Sequence, residues 1–156
     1  MNLQEVISKD MMCLELQAHD KDGVIAELAG LMHKAGRIAD LDAFIEDVHK
    51  REALEVTALD NGVAIPHAKS DQVVKAAVCI ARKQSGIDFG GDDAPPVKLF
   101  VMFAAGSAEG AHLKLLAKFA RMLVYDEFID ELLTAKTADE MYASVLKYEE
   151  MIEKER

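Results

Sequence analysis

At 156 residues the chain has room for one domain, and a domain of that size buries roughly 70% of its unfolded surface. Hydrophobic residues at 51% and charged residues at 29% predict a packed core beneath a soluble surface. The 18 Lys and Arg against 28 Asp and Glu give a formal charge of −10, which repels phosphate backbones and anionic lipid and argues against nucleic acid or a membrane surface as partner.

Residues 1–12 carry no basic region followed by an apolar stretch, so no signal peptide is expected. Met12 to Gln17 reads as a strand. Asp22 to Ala35 reads as a helix with Val24, Leu28, Leu31, Met32 and Ala35 on one face, Asp20 or Asp22 as its cap, and Gly36 after its end. A second helix is expected from Asp40 to Leu54, with Leu41, Phe44, Ile45 and Val48 inward. Glu55 to Leu59 and Val63 to Pro66 are short β-type runs around Asp60-Asn61-Gly62, where Asn-Gly supplies the positive φ angles of a tight hairpin turn. Val73 to Arg82 predicts another strand. Val97 to Ala105, apolar almost throughout, predicts a central strand covered on both faces.

Three helices follow. Ala111 to Val124 is expected to bury Leu113, Leu116, Ala117, Ala120 and Leu123, and Asp126 to Ala135 to bury Phe128, Ile129, Leu132 and Leu133. The last opens on a capping box, Thr137-Ala138-Asp139-Glu140, and turns Met141, Val145 and Leu146 inward. These elements predict an α/β (α+β) single domain with a mixed sheet of about five strands flanked by helices. It is expected to occupy residues 1–148, with the charged end 149–156 frayed. The longest purely apolar run, Leu99 to Ala105, falls far short of the ~20 residues a membrane helix needs. No membrane insertion and a cytoplasmic location are therefore expected. Cys13 and Cys79 lie in apolar stretches without CxxC spacing, which favours buried thiols over a disulfide or redox pair.

No GxxxxGK[ST], GxGxxG, HExxH or GxSxG sequence occurs, so nucleotide binding, zinc proteolysis and α/β-hydrolase chemistry have no direct support. The segment that stands out is Asn61-Gly62-Val63-Ala64-Ile65-Pro66-His67-Ala68-Lys69. Pro66 lacks a donor and should stop the hairpin strand, so His67 should emerge at its end in a fixed direction. An unperturbed imidazole is about three-quarters uncharged at neutral pH, hence nucleophilic. His112 falls in the first turn of the helix after the central strand, where backbone amides and the dipole favour an anion. By spacing alone the two histidines suit phosphoryl transfer, half of a metal site, or no joint task. His19, His33 and His49 stand among charged residues and read as solvated, and Asp88, Asp92 and Asp93 as part of a loop near Gly90-Gly91.

Arg51-Glu52, Thr57 and the AIPHAK segment, followed by Gly86-Ile87-Asp88-Phe89, Pro96-Val97-Lys98-Leu99, His112-Leu113 and Leu115-Leu116-Ala117, give a composite pattern. It resembles the IIA domain of the fructose/mannitol type in the phosphoenolpyruvate-dependent sugar phosphotransferase system, over roughly residues 3 to 147, and AIPHA and PVKLF lean toward the fructose-like branch. The resemblance implies a phosphotransferase component without cofactor or obligatory metal, carrying a covalent phosphohistidine. It implies His67 as the phosphorylated residue, His112 as the second active-site histidine, and Arg51 as the arginine that steadies the phosphoryl group. HPr is the implied donor and a IIB component the implied acceptor. A regulatory protein of the same fold, signalling through its phosphorylation state, is the alternative. Two departures from the pattern concern loops. Ala58-Leu59-Asp60 replaces a Gly-rich turn and adds a charge near the site, and Ala105-Gly106-Ser107 lacks the proline often found there.

Overall fold

The computed structural model describes residues 2–90, 94–107 and 110–155, with the side chains of Ala111 and His112 outside that description. Two 3₁₀ turns, Leu3–Glu5 and Lys9–Met11, precede β1 (Met12–Cys13). Then come α1 (Lys21–Lys34), α2 (Leu41–Leu54), β2 (Val63–Ala64), β3 (His67–Lys69), β4 (Ala77–Ile87) and β5 (Val97–Ala105). Helices α3 (Ala111–Met122), α4 (Asp126–Thr134) and α5 (Ala138–Lys154) complete the chain.

The sheet runs β1–β4–β5–β2, with β3 pairing β5 beyond β2. Strands β4 and β5 are antiparallel, and every other pairing is parallel. Along β5 the pleat divides the apolar run between two cores. Leu99, Val101 and Phe103 face α3, α4 and α5, whereas Phe100, Met102 and Ala104 face α1 and α2. A mixed five-stranded sheet between two helical layers is the predicted architecture, and the sequence ends of the helices are where their caps place them. Asp20, Asp40 and Thr137 each accept a backbone N–H three residues on.

Several elements differ from expectation. The strand predicted over Met12–Gln17 shrinks to two residues because cationic side chains take its later acceptors. Arg82 Nε donates to Leu14 O (2.7 Å) and Lys83 Nζ to Leu16 O (2.8 Å). Val73 forms a lone antiparallel bridge to Ile38, and the predicted strand instead begins at Ala77 and runs on to Ile87. The added stretch is polar, yet Lys83 is buried, with Nζ donating to Leu16 O. The end expected to fray is helical to Lys154, with Glu149 and Ile152 buried. Glu149 accepts the Leu3 N–H (2.8 Å) and Lys118 Nζ (2.5 Å).

Helix α3 is rotated relative to its predicted face. Leu115, Phe119, Met122 and Leu123 are buried, while Leu113 is 60% exposed and Ala117 and Ala120 lie on the surface. The helix is apolar on two sides, so periodicity alone admits either orientation.

Both cysteines are free thiols, Cys79 fully buried and Cys13 partly so. Burial pushes both thiols above their ordinary pKa, Cys79 far above it. A thiol-specific reagent at neutral pH should therefore leave Cys79 unmodified in the folded chain and modify both residues in denaturant. Rapid native labelling at Cys79 would contradict the packing of this face.

Candidate functional site

The hairpin that leads into the site closes through Leu59 N–H to Val63 O (2.7 Å) and Ile65 N–H to Thr57 O (3.1 Å). This leaves Asp60, Asn61 and Gly62 in a three-residue loop, the residues the sequence places between the two runs. Such loops end on a left-handed residue, and Gly62 takes φ +81°. The first arm, Glu55–Leu59, forms a single bridge from Ala58 to Ala64 rather than a strand.

Pro66 interrupts the second arm without ending it. It removes one ladder donor, but its carbonyl still accepts the Phe103 N–H (3.0 Å), and pairing with β5 resumes at His67 opposite Phe103. His67 thus opens β3 instead of emerging from a strand end. Its ring is half-buried, and Nδ1 lies 2.9 Å from Ile65 O. A carbonyl only accepts, so Nδ1 carries a proton, which in the neutral ring leaves the lone pair on Nε2.

Arg51 stands in the last turn of α2, where Nη1 donates to Glu55 O (2.9 Å), the carbonyl of the helix cap. With Asp47, Lys50 and Leu54 it lines a cleft of about 300 Å³ whose other wall is His67, Ala68 and Lys69. Arg51 and His67, separated by the whole hairpin in sequence, therefore share one cavity. Three of its lining residues are cations against one carboxylate, and Asp47 Oδ2 is already engaged by Ser70 Oγ (2.6 Å). Lys50 is paired with Glu46 (3.3 Å), and the cationic balance of the lining suits an anion even in a chain of charge −10.

His112 is the second residue of α3. Because Lys69 pairs with Ala105, the loop toward α3 leaves the sheet beside the end of β3. Gly110 caps that helix at φ +80°, with no side chain to occupy its amides. The imidazole of His112 lies outside the described side chains, so its place relative to His67 stays an expectation. Ser107 Oγ bonds Asp71 Oδ1 (2.6 Å), a tie between the loops after β3 and β5 in place of the missing proline. Among the described residues, no group of three His, Cys, Asp or Glu is placed to hold a metal. Of the other histidines, His33 Nδ1 reaches Ile38 O (2.9 Å) and ties α1 to the following turn, rather than being merely solvated. Asp88 accepts the Gly90 N–H, while Asp92 and Asp93 fall outside the described residues.

Two features were not read from the sequence. Glu52 is buried, accepts both the N–H and the hydroxyl of Thr57, and pairs with Lys21 (3.2 Å). Only the fold shows that the residue after Arg51 points inward. The second is an apolar cleft of about 330 Å³ between the hairpin and α3, lined by Leu59, Ile65, Phe103, Leu116, Ala120 and Val124 among others. It uses the α3 side that periodicity had turned inward. Asp60, predicted to add charge near His67, sits on this cleft and not on the one around His67.

Among the described residues no helix is long and apolar enough to cross a membrane. The fructose-specific EIIA component of Haloferax volcanii is 33% identical over 150 residues, covering 94% of this chain and 97% of that protein. The fructose-specific EIIABC component of Bacillus subtilis is 32% identical over 140 residues, which is 89% of this chain but 22% of that longer protein. Among solved structures, the nitrogen regulatory protein IIA-Ntr from Neisseria meningitidis aligns with a TM-score of 0.82 at 26% identity, covering 90% of this chain and 97% of that one. A family model described as phosphoenolpyruvate-dependent sugar phosphotransferase system, EIIA 2, matches residues 5–148. That match takes in the hairpin, the helix and strand that line the His67 cleft, and α3, and the chain accordingly belongs to the EIIA type-2 family of the sugar phosphotransferase system.

Proposed function

We propose that this phosphotransfer component accepts a phosphoryl group from HPr on His67 Nε2 and passes it to a IIB component for sugar uptake. The observation that carries the reading is the His67 cleft. It presents an imidazole, with its proton held at Nδ1 by Ile65 O, beside the guanidinium of Arg51. The Nε2 lone pair forms the new N–P bond as the donor's N–P bond breaks, and the donor imidazole leaves as a neutral base. The Nδ1 proton stays on His67, so the phosphorylated ring is cationic and the Ile65 carbonyl dipole stabilises it. Reversal of the same step onto IIB regenerates the starting tautomer.

In such a transfer the charge sits on three equatorial oxygens, and positioning with electrostatic stabilisation dominates. Arg51 suits those oxygens because its planar fork donates two parallel hydrogen bonds while Nη1 is anchored at Glu55 O. The apolar cleft between the hairpin and α3, lined by Ile65 two residues before His67, gives a partner protein a surface to seat on. Incubation with phosphoenolpyruvate, enzyme I and HPr should label the chain once, and added IIB should remove the label. Arg51→Lys keeps the charge but loses the fork, and should slow both steps by about tenfold or more. Arg51→Ala transferring at the wild-type rate would remove Arg51 from the site.

The likeness to IIA-Ntr favours a second reading, in which the phosphorylated and free forms regulate other proteins. Label that enters from HPr but leaves to no IIB component would support it.

A further inference from the structure

The geometry points to Glu52 as a positioning residue for the phosphoryl acceptor, acting on His67 through Thr57 and Ile65. Glu52 Oε2 accepts the Thr57 N–H (3.1 Å) and Oε1 accepts the Thr57 hydroxyl. Thr57 O in turn accepts the Ile65 N–H (3.1 Å), and Ile65 O accepts the His67 Nδ1–H (2.9 Å). Four residues from three parts of the chain thus form one unbroken run of hydrogen bonds that ends on the nucleophile.

Nothing in local stability explains this carboxylate. Its side chain is 3% exposed, and a buried charge is costly unless fully paired. It also stands in the C-terminal half of α2, where the helix dipole disfavours a negative charge. Its cationic partner is equally misplaced for helix stability, since Lys21 opens α1 at the positive end of that dipole. Lys21 is held there by Glu52 and by the face of Phe89, 4.7 Å from the ring centroid. An apolar residue of similar size would fill the same space at less cost. What only an acid in this place provides is two acceptors for Thr57, which fix where the first hairpin arm lies and so where Ile65 O points. Arg51, the preceding residue, is fixed by the same helix end.

This inference rests on His67 being the phosphoryl acceptor, but one of its readouts does not. In ¹⁵N spectra of the imidazoles of the full chain, wild-type His67 should show the Nδ1–H tautomer. Glu52→Gln replaces one acceptor oxygen with a donor group facing Thr57 and Lys21, and should give a mixture of tautomers. Transfer from phosphorylated HPr at saturating donor should fall about tenfold or more, with the half-saturating donor concentration little changed. Thr57→Ser keeps both donors and should restore the wild-type spectrum and rate, whereas Thr57→Val should fall between. Thr57→Val carries the test if Glu52→Gln does not fold. A wild-type tautomer signal and rate in the folded Glu52→Gln or Thr57→Val chain would overturn the inference, whatever the melting temperature. Failure of the wild-type chain to be labelled at His67 would sink the functional reading, and the tautomer spectra would still judge the positioning.

Discussion

Replacing His67 by alanine is expected to abolish labelling by phosphorylated HPr, with no residual transfer from neighbouring side chains. The wild-type label should be acid-labile and alkali-stable, the behaviour of an N–P bond. The substitution removes the Nδ1–H donor to Ile65 O but leaves the backbone pairing of β3 with β5 intact. A half-buried ring and one hydrogen bond together account for about 1 kcal/mol of stability. The variant should therefore fold, and its melting curve should separate loss of chemistry from loss of structure. Full labelling of a folded His67→Ala chain would end the assignment of the nucleophile. Labelling that survives in a form stable to acid would point to a hydroxyl acceptor.

The second large effect concerns His112. As a donor to the phosphoryl oxygens it would act where charge is handled, and loss of one such donor typically costs about 10²–10³ in rate, or roughly 2.7–4 kcal/mol. The Gly110 cap leaves the first amides of α3 without a side-chain partner from the cap residue, an arrangement that a bound oxyanion completes. If His112 merely starts the helix, its truncation changes stability by a few tenths of a kcal/mol and transfer not at all. In the His112→Ala chain, label should still enter at His67, and onward passage to IIB should slow by about two orders of magnitude. Wild-type rates in both directions would leave His112 a structural role. Loss of labelling in both single-histidine variants would indicate a pair acting as one unit, as a metal site does.

The sequence made the order of elements legible because caps and periodicity agree in most helices, and because β5 has no polar residue after Lys98 to blur it. The site was legible in its parts. Pro66 marked His67, the helix start after β5 marked His112, and the resemblance supplied Arg51 and the roles. What could not be read was how those parts are held. A proline that interrupts a ladder looks in sequence like one that ends it, since the difference lies in whether the next residue finds a partner on β5. Glu52 reads as one more surface charge in an acidic helix until Thr57 and Lys21 are seen around it. Helix α3 carries apolar residues on both sides, so its inward face is decided by what β5 and α5 offer and not by its own pattern. Where polar side chains satisfy backbone groups across long separations, as Arg82 and Lys83 do for the segment after β1, local reading has no purchase.

The bond from Leu3 N–H to Glu149, which also accepts Lys118, spans 146 residues and fastens both ends of the chain to the middle of α3. Chain ends ordinarily open first, with little free energy and little effect on the rest. Here neither end can peel away without stripping Lys118 of its principal counter-ion and exposing a carboxylate and an amide together. Opening at either end is thereby raised toward the cost of opening the whole layer formed by α3, α4 and α5. The helix that carries His112 is thus tied, through Lys118, to a carboxylate that also takes the Leu3 N–H, so α3, α5 and the first 3₁₀ turn share one contact and loosening any of them strains the other two.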